Sequence, residues 1–278
     1  MGMRVSTNVA AINAQRNLQN SQLAMKDSFA KLSSGSRINK SADDAAGLAI
    51  SESLKAQIRS SRQANRNAND GISMVQVAEG GLNEIGNIVV RLRELGIQAA
   101  SDTIGDTERG FINKEVDQLK NEAQRIASVT TWGTTKLLDG STPTFDFQVG
   151  IFNNSFEDRI SFEAGENEAT LSALGIEGLD YTQKDGAQTG LELLDAAQTR
   201  VNEMRSNLGA LQNRLQSTSN NLLISEENLS AANSRIRDTD VAEASAELTR
   251  NNILLQAGAA TLAQANQMNS VALSLVQG

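Results

Sequence analysis

The stretch Leu194–Ile236, LDAAQTRVNEMRSNLGALQNRLQSTSNNLLISEENLSAANSRI, decides the fold. Stepping alternately three and four residues gives Leu194, Ala197, Val201, Met204, Leu208, Leu211, Leu215, Thr218, Leu222, Ser225, Leu229, Ala232 and Ile236. The alternation holds for 43 residues, and 11 of the 13 positions are apolar. Such a repeat keeps one stripe of a helix against a partner helix, so six heptads of it predict a coiled-coil seam. At 1.5 Å per residue the helix is roughly 65 Å long. A globule of the same chain length has a radius of gyration of roughly 19 Å. The sequence therefore predicts a mainly α, elongated antiparallel helical rod or coiled-coil bundle.

The seam needs partners, and two segments offer them. Over 44–100, Leu54, Ile58, Ile72, Val75, Leu82, Ile85, Val89, Leu92 and Leu95 recur at helical spacing. Ser41, with Asp44 three residues on, reads as the N-terminal cap. Asn69-Asp70-Gly71 is a turn signal, but the apolar phase carries across it, which favours one continuous helix. Over 106–129, Ile112, Val116, Leu119, Ala123 and Ile126 are spaced 4-3-4-3. Between the helices lies the only β-like region. Lys136-Leu137-Leu138-Asp139-Gly140 leads into a turn. Phe145, Phe147 and Val149 then alternate with polar residues, as do Phe156, Asp158, Ile160 and Phe162, which predicts a hairpin around Gly150-Ile151-Phe152-Asn153-Asn154, within about 141–163.

Composition narrows the chemistry. Among 278 residues there is one proline, Pro143, with no cysteine, no histidine and nine aromatics. Absent cysteine removes disulfides, thiolate nucleophiles and Cys-based zinc sites. Absent histidine removes the commonest general base and metal ligand. Asp43-Asp44 could be a carboxylate pair, but adjacent helical residues diverge, so capping explains them better than catalysis. The chain reads as no enzyme and as needing no cofactor. A net charge of −8 speaks against nucleic acid. No 18-residue apolar run is present, and the first residues lack the apolar core of a secretory signal, so neither membrane insertion nor ordinary signal-directed secretion is expected.

The two ends differ from the middle. Residues 1–42 carry a net +5, residues 238–278 a net −3 and the remainder −10. Val5 and Ile12 are seven apart, as are Leu18, Met25 and Leu32, with Phe29 between the last two. Asp240 with Glu243 resembles a capping box opening a last helix. In that helix Leu248, Leu255 and Leu262 repeat every seven residues and return at Val276, with Asn269 between; an amide in a seam fixes register. No charge occurs from 251 to 278. A solvated helix normally keeps charges on its wet face, so other protein is expected to cover this one. The N- and C-terminal helices are expected to pair and, together with other copies, to polymerise. Those eleven residues are the expected self-assembly positions.

The same residues carry a family resemblance. Leu32–Ile50, LSSGSRINKSADDAAGLAI, resembles the signature of bacterial flagellin, as do Asn65–Ser73, NRNANDGIS, and the WGTTKLLDG stretch from Trp132. Arg235–Asp240 and Ala263-Gln264-Ala265-Asn266-Gln267 resemble the C-terminal half of the pattern. Essentially the whole chain is covered, and the variable outer domain of many flagellins is missing. The resemblance implies a secreted subunit of the extracellular flagellar filament, polymerising head-to-tail for swimming motility. Residues 1–42 plus 238–278 would form the inner tube and 43–237 the rod. It further implies export through the flagellar type III apparatus, a chaperone on the C-terminal helix, and contacts with filament cap and junction proteins. The family's hairpin is linked to the subunit shifts that coil the filament.

The resemblance also implies a contact with the vertebrate Toll-like receptor for flagellin. Arg91, Glu94 and Leu95 match the recognised pattern, and Glu115 matches on the next helix. Val90 and Leu119 depart from it, and Leu119, standing where recognised members carry arginine, implies weakened binding. Other readings are a hook–filament junction protein, with similar terminal helices, and a secreted coiled-coil translocator, against which the eight amides of 251–278 argue.

Overall fold

The computed structural model describes residues 8–141 and 144–277, with side chains through Gln267. Val5 and Pro143, and the side chains of Asn269 and Val276, lie outside the described residues. The elements run α1 (Val9–Ser34), α2 (Ala45–Ala99), α3 (Asp106–Val129), β1 (Thr131–Trp132), β2 (Thr135–Lys136), β3 (Phe145–Gln148) and β4 (Arg159–Phe162). After a 3-10 turn at Ala164–Asn167 come α4 (Leu171–Leu174), α5 (Lys184–Arg237) and α6 (Val241–Gln277). The chain is mainly α with two small antiparallel hairpins. It forms two compact units: Gln57–Glu227, and the segments up to Ala56 and from Asn228 onward. The expected boundaries at 42/43 and 237/238 lie at the loops before α2 and after α5.

In the Gln57–Glu227 unit the predicted seam is the core. Leu194, Ala197, Val201, Met204, Leu208 and Leu215 of α5 are buried, as are Ile72, Val75, Leu82, Ile85, Val89 and Leu92 of α2. Val116 and Ala123 of α3 join the same cluster. Helix α2 is unbroken for 55 residues, as the apolar phase requires. Gly71 therefore makes no turn. A Cβ there would stand 3.2 Å from Leu215 Cδ1 and from the Phe147 ring, so the glycine lets α5 and the β3 strand approach α2 closely.

At the far end of α2, Arg109 is 7 % exposed. It donates from Nε to the Ala99 carbonyl at 2.8 Å and from Nη2 to that of Ser101 at 3.0 Å. The Ala99 oxygen would otherwise be orphaned where α2 ends, and that of Ser101 also accepts from Ile104 N–H at 3.5 Å. The predicted hairpin forms with Phe145 opposite Phe162 and Phe147 opposite Ile160. Period-2 alternation turns Ile160 and Phe162 into the core while Ser161 stays exposed. A second, shorter hairpin joins β1 and β2 across Gly133, whose φ of +62° suits glycine. It precedes the turn expected after Lys136. The stretch 164–183 carried no expectation, yet it drives Tyr181 into the core at 0 % exposure.

In the other unit α1 and α6 lie antiparallel. Asn8 at the start of α1 donates from Nδ2 to the Ala265 carbonyl at 2.9 Å, and Thr239 N–H before α6 donates to Gly35 O at 3.0 Å. Asn8 also caps α1, its Oδ1 accepting from Ala11 N–H at 3.0 Å, and Gly35 ends the helix in the left-handed conformation, φ +69°. Asp240 caps α6, accepting from Ala242 N–H at 2.8 Å and Glu243 N–H at 3.2 Å. Asp44, rather than Ser41, caps α2, accepting from Gly47 N–H at 2.8 Å.

Candidate assembly surfaces

The terminal helices divide their residues between two faces. The inner face of α1 holds Leu18, Met25 and Leu32, all half-buried, around buried Ser28. Leu248, Leu255 and Leu262 are half-buried on the facing side of α6, with Ala244 6 % exposed. These expected assembly positions thus pair α1 with α6 of the same chain. Large apolar residues of both helices stay exposed. Ile12 and Phe29 are among them, 48 % and 65 % exposed, with Val9 and Leu23 beside them and Val241, Ile253 and Leu254 on α6. Asn252, Gln256, Gln264 and Asn266 share the exposed surface of α6. A lone helix pair with apolar side chains outside and in has more such surface than it can bury itself, the signature of an interface.

The chain crossing beside this pair is tightly stitched. Ser36 bridges Asp238, and Arg37 N–H donates to Arg237 O at 2.7 Å. The Arg37 guanidinium reaches Ile236 O at 2.8 Å. Arg237 in turn donates to the Glu52 carboxylate and holds it below the usual glutamate range. Ser51 Oγ, buried beneath, donates to Asn233 Oδ1 at 2.8 Å. Asp43 accepts from the N–H groups of Lys40 at 2.9 Å and Asn39 at 3.0 Å, and these bonds lower its pKa. Asp43 and Asp44 therefore do separate structural jobs, each holding main-chain N–H groups.

The amides of the Asn65–Ser73 motif are also accounted for. Asn65 Nδ2 donates to the Ser219 carbonyl and hydroxyl, each at 3.0 Å, and so ties α2 to α5. Asn67 Nδ2 donates to Gln148 O at 2.9 Å and ties α2 to β3. Asn69 Nδ2 turns back to Asn65 O at 2.9 Å.

Arg91, Glu94 and Glu115 come together on the surface. The guanidinium donates to Glu115 at 2.8 Å and to Glu94 at 3.0 Å, and both carboxylates raise its pKa, Glu115 foremost. All three side chains are about half exposed. Leu95 does not join them. It is 2 % exposed, within the core, and offers no surface to a partner. Leu119 packs against the same core, and Val90 is 47 % exposed.

The β3–β4 loop falls where the sequence places the hairpin turn, and its side chains hold it in shape. Asp158 accepts from Phe152 N–H at 3.3 Å and Asn154 N–H at 2.9 Å. Gln148 Nε2 donates to Gly150 O at 3.0 Å and Phe152 O at 2.8 Å, and Arg159 to Asn153 Oδ1 at 2.6 Å. Gly150 is required here, since a Cβ would stand 2.6 Å from Asp158 Cα. Phe156, expected in the alternation of the second strand, is instead looped out before β4.

Among the described residues, no cluster of three or more acidic side chains could hold a metal, and no helix is long and apolar enough to cross a membrane. Residues 5–142 match the family model of the bacterial flagellin N-terminal helical region, and 191–276 match that of the bacterial flagellin C-terminal helical region. A flagellin of Halalkalibacterium halodurans is 44 % identical over 99 % of this chain and 100 % of its own length. The flagellar filament core protein flaB2 of Brachyspira hyodysenteriae is 42 % identical, and a flagellin of Bacillus subtilis 41 %, each over 99 % of this chain and 100 % of its own. The crystal structure of Bacillus cereus flagellin superposes with a TM-score of 0.50 at 28 % identity, over 56 % of this chain and 88 % of that one. A putative flagellar hook-associated protein from Vibrio parahaemolyticus shares the fold, with a TM-score of 0.60 at 11 % identity, over 70 % of this chain and 100 % of that one.

Proposed function

The chain belongs to the bacterial flagellin family, and from that premise we infer that it is a structural subunit of the flagellar filament, self-assembling copy on copy into a helical polymer. Its family is structural rather than enzymatic, and its place is the extracellular flagellum. One observation carries the assembly mechanism. The paired α1 and α6 helices satisfy each other along one face and leave Val9, Ile12, Leu23, Phe29, Ile253 and Leu254 exposed on the others. Covering those side chains with the helices of further copies supplies the apolar burial that drives association. The charge-free run from Asn251 onward supports this, because it has no ions to desolvate. In this reading residues 1–42 and 238–278 line the filament interior, 43–237 form the wall, and subunits leave the cell by the flagellar type III route. A chaperone holding α6, and the cap and junction proteins, would meet the same apolar faces.

Deleting 251–278 tests the assignment. The truncated chain should stay soluble and largely helical but fail to elongate filament seeds; native-diameter filaments by electron microscopy would remove the terminal helices from the interior. Recognition by the Toll-like receptor would use Arg91, Glu94 and Glu115 without Leu95, because only the first three are solvent-exposed. Comparable strong responses of wild type and Arg91→Ala in a cell reporter assay would exclude that cluster.

A further inference from the structure

The 3-10 turn after β4 and the α5 helix enclose a cleft of about 350 Å³ within the Gln57–Glu227 unit. Side chains three apart eclipse in a 3-10 turn, and Glu163 and Glu166 both line the cleft from that side. Helical spacing puts Asn207, Leu211 and Arg214 of α5 on one stripe along the other side. Asn167 lines the same cleft and is 5 % exposed. Its Nδ2 donates to Glu163 O at 2.8 Å, but its Oδ1 is buried with no hydrogen-bond partner. Buried acceptors are ordinarily paired, so this oxygen calls for a donor from outside the chain.

The charged groups of the cleft are unclaimed as well. Among the described residues, the carboxylates of Glu163 and Glu166 and the guanidinium of Arg214 have no ion pair or hydrogen-bond partner. Other charges close by are engaged or lie outside. Asp146 accepts from Ser161 Oγ at 2.8 Å, and Arg159 donates to Asn153 Oδ1 at 2.6 Å. Glu203, one turn before Asn207, does not line the cleft. Arg214 also borders a neighbouring cleft beside Glu157 and Asp158, and pairs with neither. A bare cation in the first cleft would meet Arg214, and an anion would meet two carboxylates. A zwitterion answers both signs.

We propose that this cleft binds a free α-amino acid with an apolar side chain. An ammonium has three N–H donors, and three acceptors face it on Glu163, Glu166 and Asn167 Oδ1. The carboxylate takes the Arg214 guanidinium, whose forked donors match it. The side chain lies over Phe162, Leu208 and Leu211. The volume falls in the small-molecule range of roughly 300–1,000 Å³. The site needs no second copy and goes beyond the filament reading.

Equilibrium dialysis of the native chain against labelled L-leucine tests this. Saturable binding of one leucine per chain is expected. Isopentylamine, which lacks the carboxylate, and isocaproate, which lacks the ammonium, should compete at least about tenfold more weakly, since each forfeits a charge-assisted hydrogen bond. Arg214→Gln should erase the preference over isopentylamine, and Glu163→Gln with Glu166→Gln the preference over isocaproate. All three side chains belong to exposed residues, so the circular dichroism should not change. No saturable leucine binding by the native chain, an amine or acid that competes as well as leucine, or variants that keep the native preferences would each overturn the site.

Discussion

The Tyr181 hydroxyl donates to the Leu92 carbonyl at 3.3 Å inside the core, in a chain with no other tyrosine. Burial pushes its pKa up to about 12 from an ordinary 10.0. The folded chain therefore keeps the proton where the unfolded chain loses it. The resulting stability is present below pH 10 and is lost between pH 10 and about 12, at roughly 1.4 kcal/mol per pH unit. Absorbance at 295 nm should show the tyrosine ionising only as the helix signal collapses. Tyr181→Phe should cost about 1 kcal/mol and abolish that alkaline slope.

The crossing at Ser36 and Asp238 should loosen in acid. Glu52, beside Arg237, and Asp43, on the N–H groups of Lys40 and Asn39, sit below their ordinary 4.5 and 3.8. A lowered carboxyl contributes stability above its ordinary value and loses it as pH falls through the lowered one. Amide exchange over 36–44 should accelerate below those values in the wild type. Asp43→Asn with Glu52→Gln should exchange fast already at neutral pH. Unchanged exchange in that double variant would show that neither carboxylate holds the crossing.

The two faces of α1 should respond oppositely to charge. Leu18→Asp places a carboxylate against α6 and should melt the terminal pair, read as lost helical circular dichroism. Phe29→Asp lies on the outer face and should leave the spectrum unchanged while suppressing polymerisation. Equal helix loss in both would remove the distinction between faces.

Gly71→Ala should destabilise, against helix propensity. Propensity favours alanine by about 1 kcal/mol. The new methyl, 3.2 Å from Leu215 and Phe147, forces the hairpin and α5 outward at a cost of about 1–3 kcal/mol. A net loss of about 1 kcal/mol in urea unfolding is expected; a more stable variant would mean the core yields freely there.

Gly150→Ala and Asp158→Ala should free the β3–β4 loop without unfolding the helices. The first collides with Asp158, and the second orphans the Phe152 and Asn154 N–H groups. Each should cost about 1–3 kcal/mol and open the loop to protease. Protection equal to the wild type would mean that other contacts fix it.

The helices were legible because periodicity reports burial directly. The α5 seam from Leu194 to Leu215 and the unbroken α2 follow from spacing alone, and the β3–β4 register follows from alternation. What spacing cannot say is whose helix covers a stripe. Leu18 and Leu255 show the heptad of an interface, and the partner turns out to be the same chain, because a sequence carries no record of which copy a neighbour belongs to. Leu95 illustrates the converse. Its place in a receptor-like motif says nothing of direction, and helical phase, shared with Leu92, sends it inward. Tyr181 and the 164–183 stretch escaped because loops held by single buried anchors have no period. Phe152 escaped for a related reason: its exposure depends on Asp158, six residues on.

The pairing of Arg37 with Ile236 joins residues 199 apart. Closing so long a flexible loop costs about 5 kcal/mol in chain entropy beyond a constant. That cost falls sharply once Gln57–Glu227 has folded and shortened the tether. The ends should therefore close after the middle has organised, which pulse-labelled amide exchange during refolding would read as late protection of residues 36–44.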